Sequence, residues 1–301
     1  MKERFFALFA LLFVAVSVFS QNEVGTYHEQ NGIMYLVTKM YTNGNEHGDV
    51  IVTHWDSLKT NGVVKYNSAR KYEGIIVLPD NIILESGDSK IKYNIVGIDN
   101  HAFENCRNLI YVMIGQYTKF IGKRAFYNCA WLQVADLYSS LNNMVIGDEA
   151  YSKCEMLTII DIKGNHKFGN NVFSGCNYIK KIYTRGINVN DKFSSSPINI
   201  FGNSTYTSTE IIHYGGDSPK EFYKRNDCWQ EFRYVEFKKS SVTNPMSQNS
   251  NTNFQPTFLY KLTGVKFEGK GNTPVIRKFN SADMKDNGNT FLGLKERYRY
   301  Q

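Results

Sequence analysis

The sequence predicts an α/β repeat solenoid, with short strands along one face, short helices along the other and a β-rich cap at the N-terminal end. Three observations predict it. A phrase of twelve residues occurs four times between Val96 and Gly186, its cysteines 23, 25 and 22 residues apart; a fixed period of this size marks stacked repeats. Apolar residues fall at helical spacing inside the phrase and at strand spacing after it. The stretch ahead of the first phrase reads as short strands separated by turns.

The copies run Ile98-Asp-Asn-His-Ala-Phe-Glu-Asn-Cys106-Arg-Asn-Leu109, Ile121-Gly-Lys-Arg-Ala-Phe-Tyr-Asn-Cys129-Ala-Trp-Leu132, Ile146-Gly-Asp-Glu-Ala-Tyr-Ser-Lys-Cys154-Glu-Met-Leu157 and Phe168-Gly-Asn-Asn-Val-Phe-Ser-Gly-Cys176-Asn-Tyr-Ile179. Counted from the first residue, positions 5, 6, 9 and 12 are apolar. In the first copy these are Ala102, Phe103, Cys106 and Leu109. On a helix those side chains share one face, so a two-turn helix is expected, too short to stand alone in water. Asp99 or Asn100, and Asp148 or Asn170 in later copies, are placed to cap its first turn. After the phrase the period becomes two. Val112 and Ile114, and later Ile160 and Ile162, alternate with their neighbours as a strand with one face inward. Gly122, Gly147 and Gly169 stand where a tight turn suits a residue without a Cβ. Strands pack at about 4.8 Å and helices at roughly 8–10 Å, which would curve the solenoid with strands lining its inner side; helices this short can tighten that spacing, so the sequence sets no curvature.

Residues 21–95 read as the cap. Asn31-Gly32 precedes the strand Ile33–Val37, Val50–Thr53 and Tyr72–Leu78 follow, and Ile91–Val96 leads into the first phrase. Residues 96–186 hold the four repeats. Residues 187–238 form a degenerate repeat around Ile200-Phe201-Gly202 and a C-terminal cap, with Pro219 at the first turn of a short helix. Residues 239–257, rich in Ser, Asn, Thr, Gln and Pro, read as a linker. Residues 258–301 are a basic tail or a small hairpin. From Lys261 onward the tail carries nine Lys/Arg against four Asp/Glu.

At the other end, Lys2 and Arg4 precede an apolar run from Phe5 to Phe19, with Ser20 at its exit. That is the pattern of a secretory signal peptide over residues 1–20. No later segment is apolar enough to span a bilayer, so the chain is expected to be exported to the periplasm or cell surface. The formal net charge of +7 is spread along the chain and comes without a basic run interleaved with aromatics, which points away from nucleic acid. Four of the five cysteines share one position on successive repeats. Buried packing as small hydrophobes is favoured over bridging, and zinc is disfavoured because no Cys-x-x-Cys pair occurs. Cys228 has no repeat partner and reads as the most exposed thiol.

The recurring Ile-Gly-x-x-Ala-Phe-x-x-Cys-x-x-Leu resembles the leucine-rich repeat of BspA-like bacterial surface proteins. The flanking segments extend the resemblance to about residues 22–238. It implies a secreted or cell-surface protein of non-catalytic binding function, some members acting as adhesins toward host matrix or other cells. The chain shows no metal-binding His spacing, no nucleophile elbow and no phosphate-cradling loop, so neither enzyme activity nor a cofactor is expected. The strand face is expected to present Tyr111, Met113, Asp136, Asp161, Lys181 and Tyr183 to an extracellular protein partner. A glycan, in an envelope polysaccharide system, is the alternative. His101 is expected to face solvent.

Overall fold

A computed structural model describes residues 24–41, 47–55, 72–86, 89–141, 143–185, 199–202, 208–214, 220–221 and 232–236. The expected leader, linker and basic tail, and Cys228, lie outside these residues. The cap opens with β1 (Tyr27–Gln30), β2 (Ile33–Tyr41) and β3 (His47–Val52), followed by β4 (Gly74–Val77), β5 (Asn81–Ser86) and β6 (Ser89–Ile98). Asn31 and Gly32 both take positive φ between β1 and β2, the two-residue turn that an Asn-Gly pair favours. The repeats then alternate longer and two-residue strands: β7 (Leu109–Met113), β8 (Phe120–Ile121), β9 (Val134–Tyr138), β10 (Val145–Ile146), β11 (Ile159–Lys163), β12 (Lys167–Phe168) and β13 (Lys181–Arg185). β14 (Glu210–Tyr214) and β15 (Arg233–Glu236) complete the series.

Each coil therefore contributes to two ladders. The short strands continue the cap sheet in the order β1-β2-β3-β6-β8-β10-β12, with β5 on β6. The longer strands form an all-parallel sheet, β15-β14-β13-β11-β9, and β4 pairs in parallel with β7.

The expected helices are not there. Among the described residues only Lys220 and Glu221 are α-helical, and no helix is long and apolar enough to cross a membrane. Two tight turns replace each phrase helix. In every copy positions 4 and 8 take positive φ: His101 and Asn105, Arg124 and Asn128, Glu149 and Lys153, Asn171 and Gly175. Alternate N–H groups close four-residue turns, as in Glu104 N to His101 O (3.1 Å) and Cys106 N to Phe103 O (3.0 Å). The N–H groups between them leave the coil. Those of His101, Phe103 and Asn105 donate to Lys123 O, Ala125 O and Tyr127 O of the next coil at 2.8–3.0 Å. The turn side is thus tied coil to coil like the strand side, at one spacing. A helix needs roughly 8–10 Å of lateral room, which this spacing denies. Both geometries turn positions 5, 6, 9 and 12 inward, and this is why the apolar pattern fits either.

The capping reading is corrected by the same geometry. Asn100 Oδ1 accepts from Lys123 N at 2.7 Å, and Asp148 Oδ1 from Asn170 N at 2.8 Å; both bonds join neighbouring coils. The glycines at position 2 are also required for closeness rather than for φ. A Cβ on Gly147 would lie 2.6 Å from Lys123 N, and one on Gly122 2.4 Å from Asn100 N.

At the centre runs a stack of rings. Phe103, Phe126, Tyr151, Phe173 and Phe201 follow one another at centroid separations of 5.0, 4.8, 5.6 and 5.7 Å, with planes 7–27° apart. Phe201 thus fills the aromatic slot of the degenerate fifth repeat. Tyr72 tilts onto one end of the stack at 4.8 Å, and Phe232 meets the other edge-on at 4.8 Å. The cap therefore supplies a coil of its own. Val52 O accepts from Asp99 N as Ile98 O does from Gly122 N, Tyr72 takes the ring position and β4 the strand position. The Tyr72 hydroxyl accepts from Met34 N and donates to Thr53 O, each at 3.0 Å, fastening the cap sheet to the stack.

Beside the rings runs a row of four buried cysteines not joined in disulfides, Cys106, Cys129, Cys154 and Cys176. Each thiol after the first donates to the position-6 carbonyl one coil back: Cys129 Sγ to Phe103 O, Cys154 Sγ to Phe126 O and Cys176 Sγ to Tyr151 O, at 3.1–3.2 Å. Cysteine is small enough for the core and still carries a donor for an inward-facing carbonyl.

Two predictions come from this packing. Gly147→Ala should destabilise the protein by about 1–3 kcal/mol, the usual cost of overpacking, measured as a lower midpoint in urea. Gly115→Ala, whose Cβ would meet nothing closer than Pro79 O at 3.0 Å, should cost less. Burial also pushes the Cys129 and Cys154 thiols well above their ordinary range. The unfolded chain releases those protons near pH ~8.5, while the folded chain keeps them. Stability should be full below that pH and decline as pH rises above it, by up to about 1.4 kcal/mol per thiol for each pH unit. Urea titrations between pH 7 and 10 should show this decline, and it should be shallower in Cys129→Ala and Cys154→Ala.

Candidate functional site

Along the longer strands alternate side chains enter the core, among them Val112, Ala135, Leu137, Ile160, Ile162, Ile182 and Ile211. The residues between them face outward and fall in rows because the parallel registers are unbroken from β9 to β15. One row reads Val134, Ile159, Lys181, Glu210, Arg233; the next reads Asp136, Asp161, Tyr183, Ile212, Val235. Tyr138 and Lys163 pair in a third row that reaches Tyr214. Toward the cap, Ile75 pairs with Tyr111 and Val77 with Met113 on the same side.

All six residues singled out from the sequence lie on these strands, but they are not equally accessible. Lys181 is exposed, and Met113, Asp136 and Tyr183 are half-buried. Tyr111 and Asp161 are buried, contrary to the expectation that they stand open to a ligand. Tyr111 lies among Ile75, Ile110 and Val134, and its hydroxyl donates to Asp136 Oδ2 at 2.9 Å. Burial, then the Asp136 charge, raises its pKa well above the usual tyrosine range, so it is a hydrogen-bond donor and not a base. Asp136 and Asp161 stand side by side in register.

Sequence reasoning missed the outermost row. Lys163 Nζ sits 4.2 Å over the Tyr138 ring, and Tyr183 stacks on Tyr214 at 6.4 Å with 27° between planes. The strand period would have found these residues, since Tyr138 and Lys163 lie two positions beyond Asp136 and Asp161. Burial raises the Tyr138 pKa, with the Asp80 and Asp136 charges adding to it.

The turn side carries a second polar cluster. Glu104 is buried, paired with Arg124 Nη2 at 2.7 Å and with His101 Nδ1. Arg124 lies 3.8 Å over the Tyr127 ring and 3.6 Å from Glu149. His101 is therefore held against Glu104 and mostly shielded, not turned to solvent. This cluster ties adjacent turns together and holds no positioned nucleophile. Among the described residues no group of three or more His, Cys, Asp or Glu side chains is placed to hold a metal.

Comparison with known proteins finds the same repeat elsewhere. Residues 85–211 match the BspA type leucine rich repeat region in six copies, where the full phrase is legible four times. The repeat region of this chain is of that type. Among solved structures, a leucine-rich repeat protein from Bacteroides capillosus is 20% identical over 53% of this chain and 99% of its own, with a TM-score of 0.37. The pneumococcal vaccine antigen PcpA is 21% identical over 64% of this chain and 41% of its own, at 0.36. A leucine rich cell surface protein from Faecalibacterium prausnitzii is 15% identical over 72% and 56%, at 0.33. No curated protein matches.

Removing the buried hydroxyl in Tyr111→Phe should cost about 1.5–3 kcal/mol, the range for a hydrogen bond to a charged group. In a double-mutant cycle by urea denaturation, most of that loss should vanish in an Asp136→Asn background. Additive losses would mean that the two side chains do not act as a pair.

Proposed function

We propose that this chain, whose residues 85–211 are a BspA type leucine rich repeat region, is a secreted or cell-surface protein that binds an extracellular protein without catalysing a reaction. The observation that carries this is the group of exposed and half-buried side chains on the later coils: Lys181, Tyr183 and Tyr214, beside the Tyr138–Lys163 pair. Tyrosines among scattered charges are the usual makings of a contact patch. Their positions are set by backbone ladders before any partner arrives, which keeps the ordering cost of binding low. In this reading Met113 and Asp136 flank the patch, and Tyr111 and Asp161 shape its floor. Adhesion to host matrix or to other cells is the role such a surface would serve.

A glycan is the second reading, favoured by one specific observation. The Tyr183 and Tyr214 rings lie nearly parallel on an open sheet, and sugar rings stack on flat aromatic platforms of this kind. In that case the protein is a binding or scaffolding component of an envelope polysaccharide system.

Pulldown against extracellular matrix proteins, set beside a glycan array, separates the two readings. Tyr183→Ala and Tyr214→Ala should each weaken protein binding by about 2 kcal/mol, roughly 30-fold in Kd, with the fold intact by circular dichroism. Unchanged affinity in both would remove the strand face from the contact, and binding to glycans alone would replace the protein reading.

A further inference from the structure

The corners at which the chain passes from a longer strand to a short one are unequal. The first and second span residues 114–119 and 139–144, the third only 164–166. The two long corners join through backbone. Ser140 N donates to Gln116 O at 2.9 Å, and the Ser139 and Ser140 hydroxyls donate to the same carbonyl at 3.3 and 3.0 Å. The third corner is too short to follow the second along its length, and a side chain takes over. His166 Nδ1 accepts from Met144 N at 3.1 Å, and His166 Nε2 bonds Leu137 O at 2.9 Å. Both residues are buried, His166 2% and Met144 0% exposed.

These partners fix the proton. A backbone N–H can only donate, so the Nδ1 that faces Met144 presents its lone pair, and the ring hydrogen sits on Nε2 and is donated to the Leu137 carbonyl. The neutral ring therefore has both nitrogens satisfied. A further proton can go only to Nδ1, where it meets the Met144 N–H as donor against donor.

We propose that His166 is an acid-sensitive latch: uncharged, it joins Met144 to Leu137, and on taking up a solvent proton at Nδ1 it gives up Met144 N and loosens the corner ahead of β10. The Lys163 carbonyl, also within reach of the ring, is the acceptor to which the new N–H would turn. Because Met144 is wholly buried, its release uncovers an apolar side chain.

The ring meets backbone groups, and burial holds its pKa below the ordinary histidine value against the pull of the Leu137 and Lys163 carbonyls. The titratable side chains on the elements packed around it are directed elsewhere. Asp136 on β9 and Asp161 on β11 stand in the outward row, Lys163 Nζ lies 4.2 Å over the Tyr138 ring, Lys119 ahead of β8 reaches Asp49 at 3.8 Å, and Lys167 on β12 is exposed. The unfolded chain takes up the proton near pH ~6.5. With the folded value lower, the latch contributes fully above that pH and is lost as pH falls from there toward the folded value. The inference concerns the corner alone and does not depend on what the strand face binds.

The test follows the full chain by NMR from about pH 7.5 down to about pH 5. His166 should titrate with a midpoint below ~6.5, with Nδ1 gaining the proton. Exchange of the Met144 amide, taken relative to its intrinsic rate at each pH, should quicken by about tenfold for each pH unit below ~6.5 until that midpoint is reached. The Phe126 amide, held by Ala150 O among the stacked turns, should not follow it. In His166→Asn, whose side-chain oxygen can still accept from Met144 N but does not titrate, the pH dependence of Met144 exchange should disappear. A midpoint at or above ~6.5, a Met144 amide that stays protected through the titration, a Phe126 amide that opens in parallel, or a pH dependence that persists in His166→Asn would each overturn the proposal. The unsubstituted chain decides the matter even where the variant fails to fold.

Discussion

The spacing between coils, near 5 Å on every side, is the constraint from which the rest of this structure follows. Parallel strands set it on one side, and the ring stack holds the interior to it, with successive centroids 4.8–5.7 Å apart. On the turn side the chain meets it by giving up helical bonding and sending alternate N–H groups to the next coil. Non-glycine residues in left-handed conformations, such as Arg124 and Lys153, cost on the order of 1 kcal/mol each. Within the repeats every such residue lies at a turn whose neighbouring N–H groups are satisfied across coils, so the strain is offset where it arises. The same spacing leaves no room for a Cβ at Gly122, Gly147 or Gly169.

Much of this was legible in the sequence because repetition averages out local accidents. The inward set Ala102, Phe103, Cys106 and Leu109 and its counterparts are all buried, the strands stand where a period of two put them, and Phe201 extends the stack. The turns were not legible. Steps of one, three and three residues suit both a helix face and a pair of tight turns, and only the spacing between coils distinguishes them. That spacing belongs to the assembled coils and to no single phrase. The coil contributed by the cap was hidden for another reason: its parts, Val52 and Tyr72, are separated by residues 56–71, so no period connects them.

On the strand face, alternation correctly placed Tyr111, Met113, Asp136, Asp161, Lys181 and Tyr183 on the longer strands. It could not reveal that Tyr111 and Asp161 are buried, because their burial depends on what surrounds the sheet and not on the strand itself. The half-buried Tyr138 and Lys163 and the exposed Tyr214 lay in the same alternation one step farther along, past the point where the phrase gives any landmark.

The repeats also provide an internal comparison that separates scaffold from surface. Position 6 is Phe103, Phe126, Tyr151 and Phe173, and position 9 is cysteine each time; at these places the spacing admits few side chains. One outward row holds Tyr111, Val134, Ile159 and Lys181, and the next holds Met113, Asp136, Asp161 and Tyr183. The backbone ladders beneath are the same from β9 to β13, so the fold does not dictate what these rows carry. An aromatic beside a carboxylate at one end and a lysine beside stacked tyrosines at the other are compatible with one scaffold. Chemistry particular to this protein can therefore be written on the strand face with little consequence for the core, as it cannot be at the ring, thiol or glycine positions. A reading of function is for that reason better sought in the outward rows than in the phrase that makes the repeat recognisable.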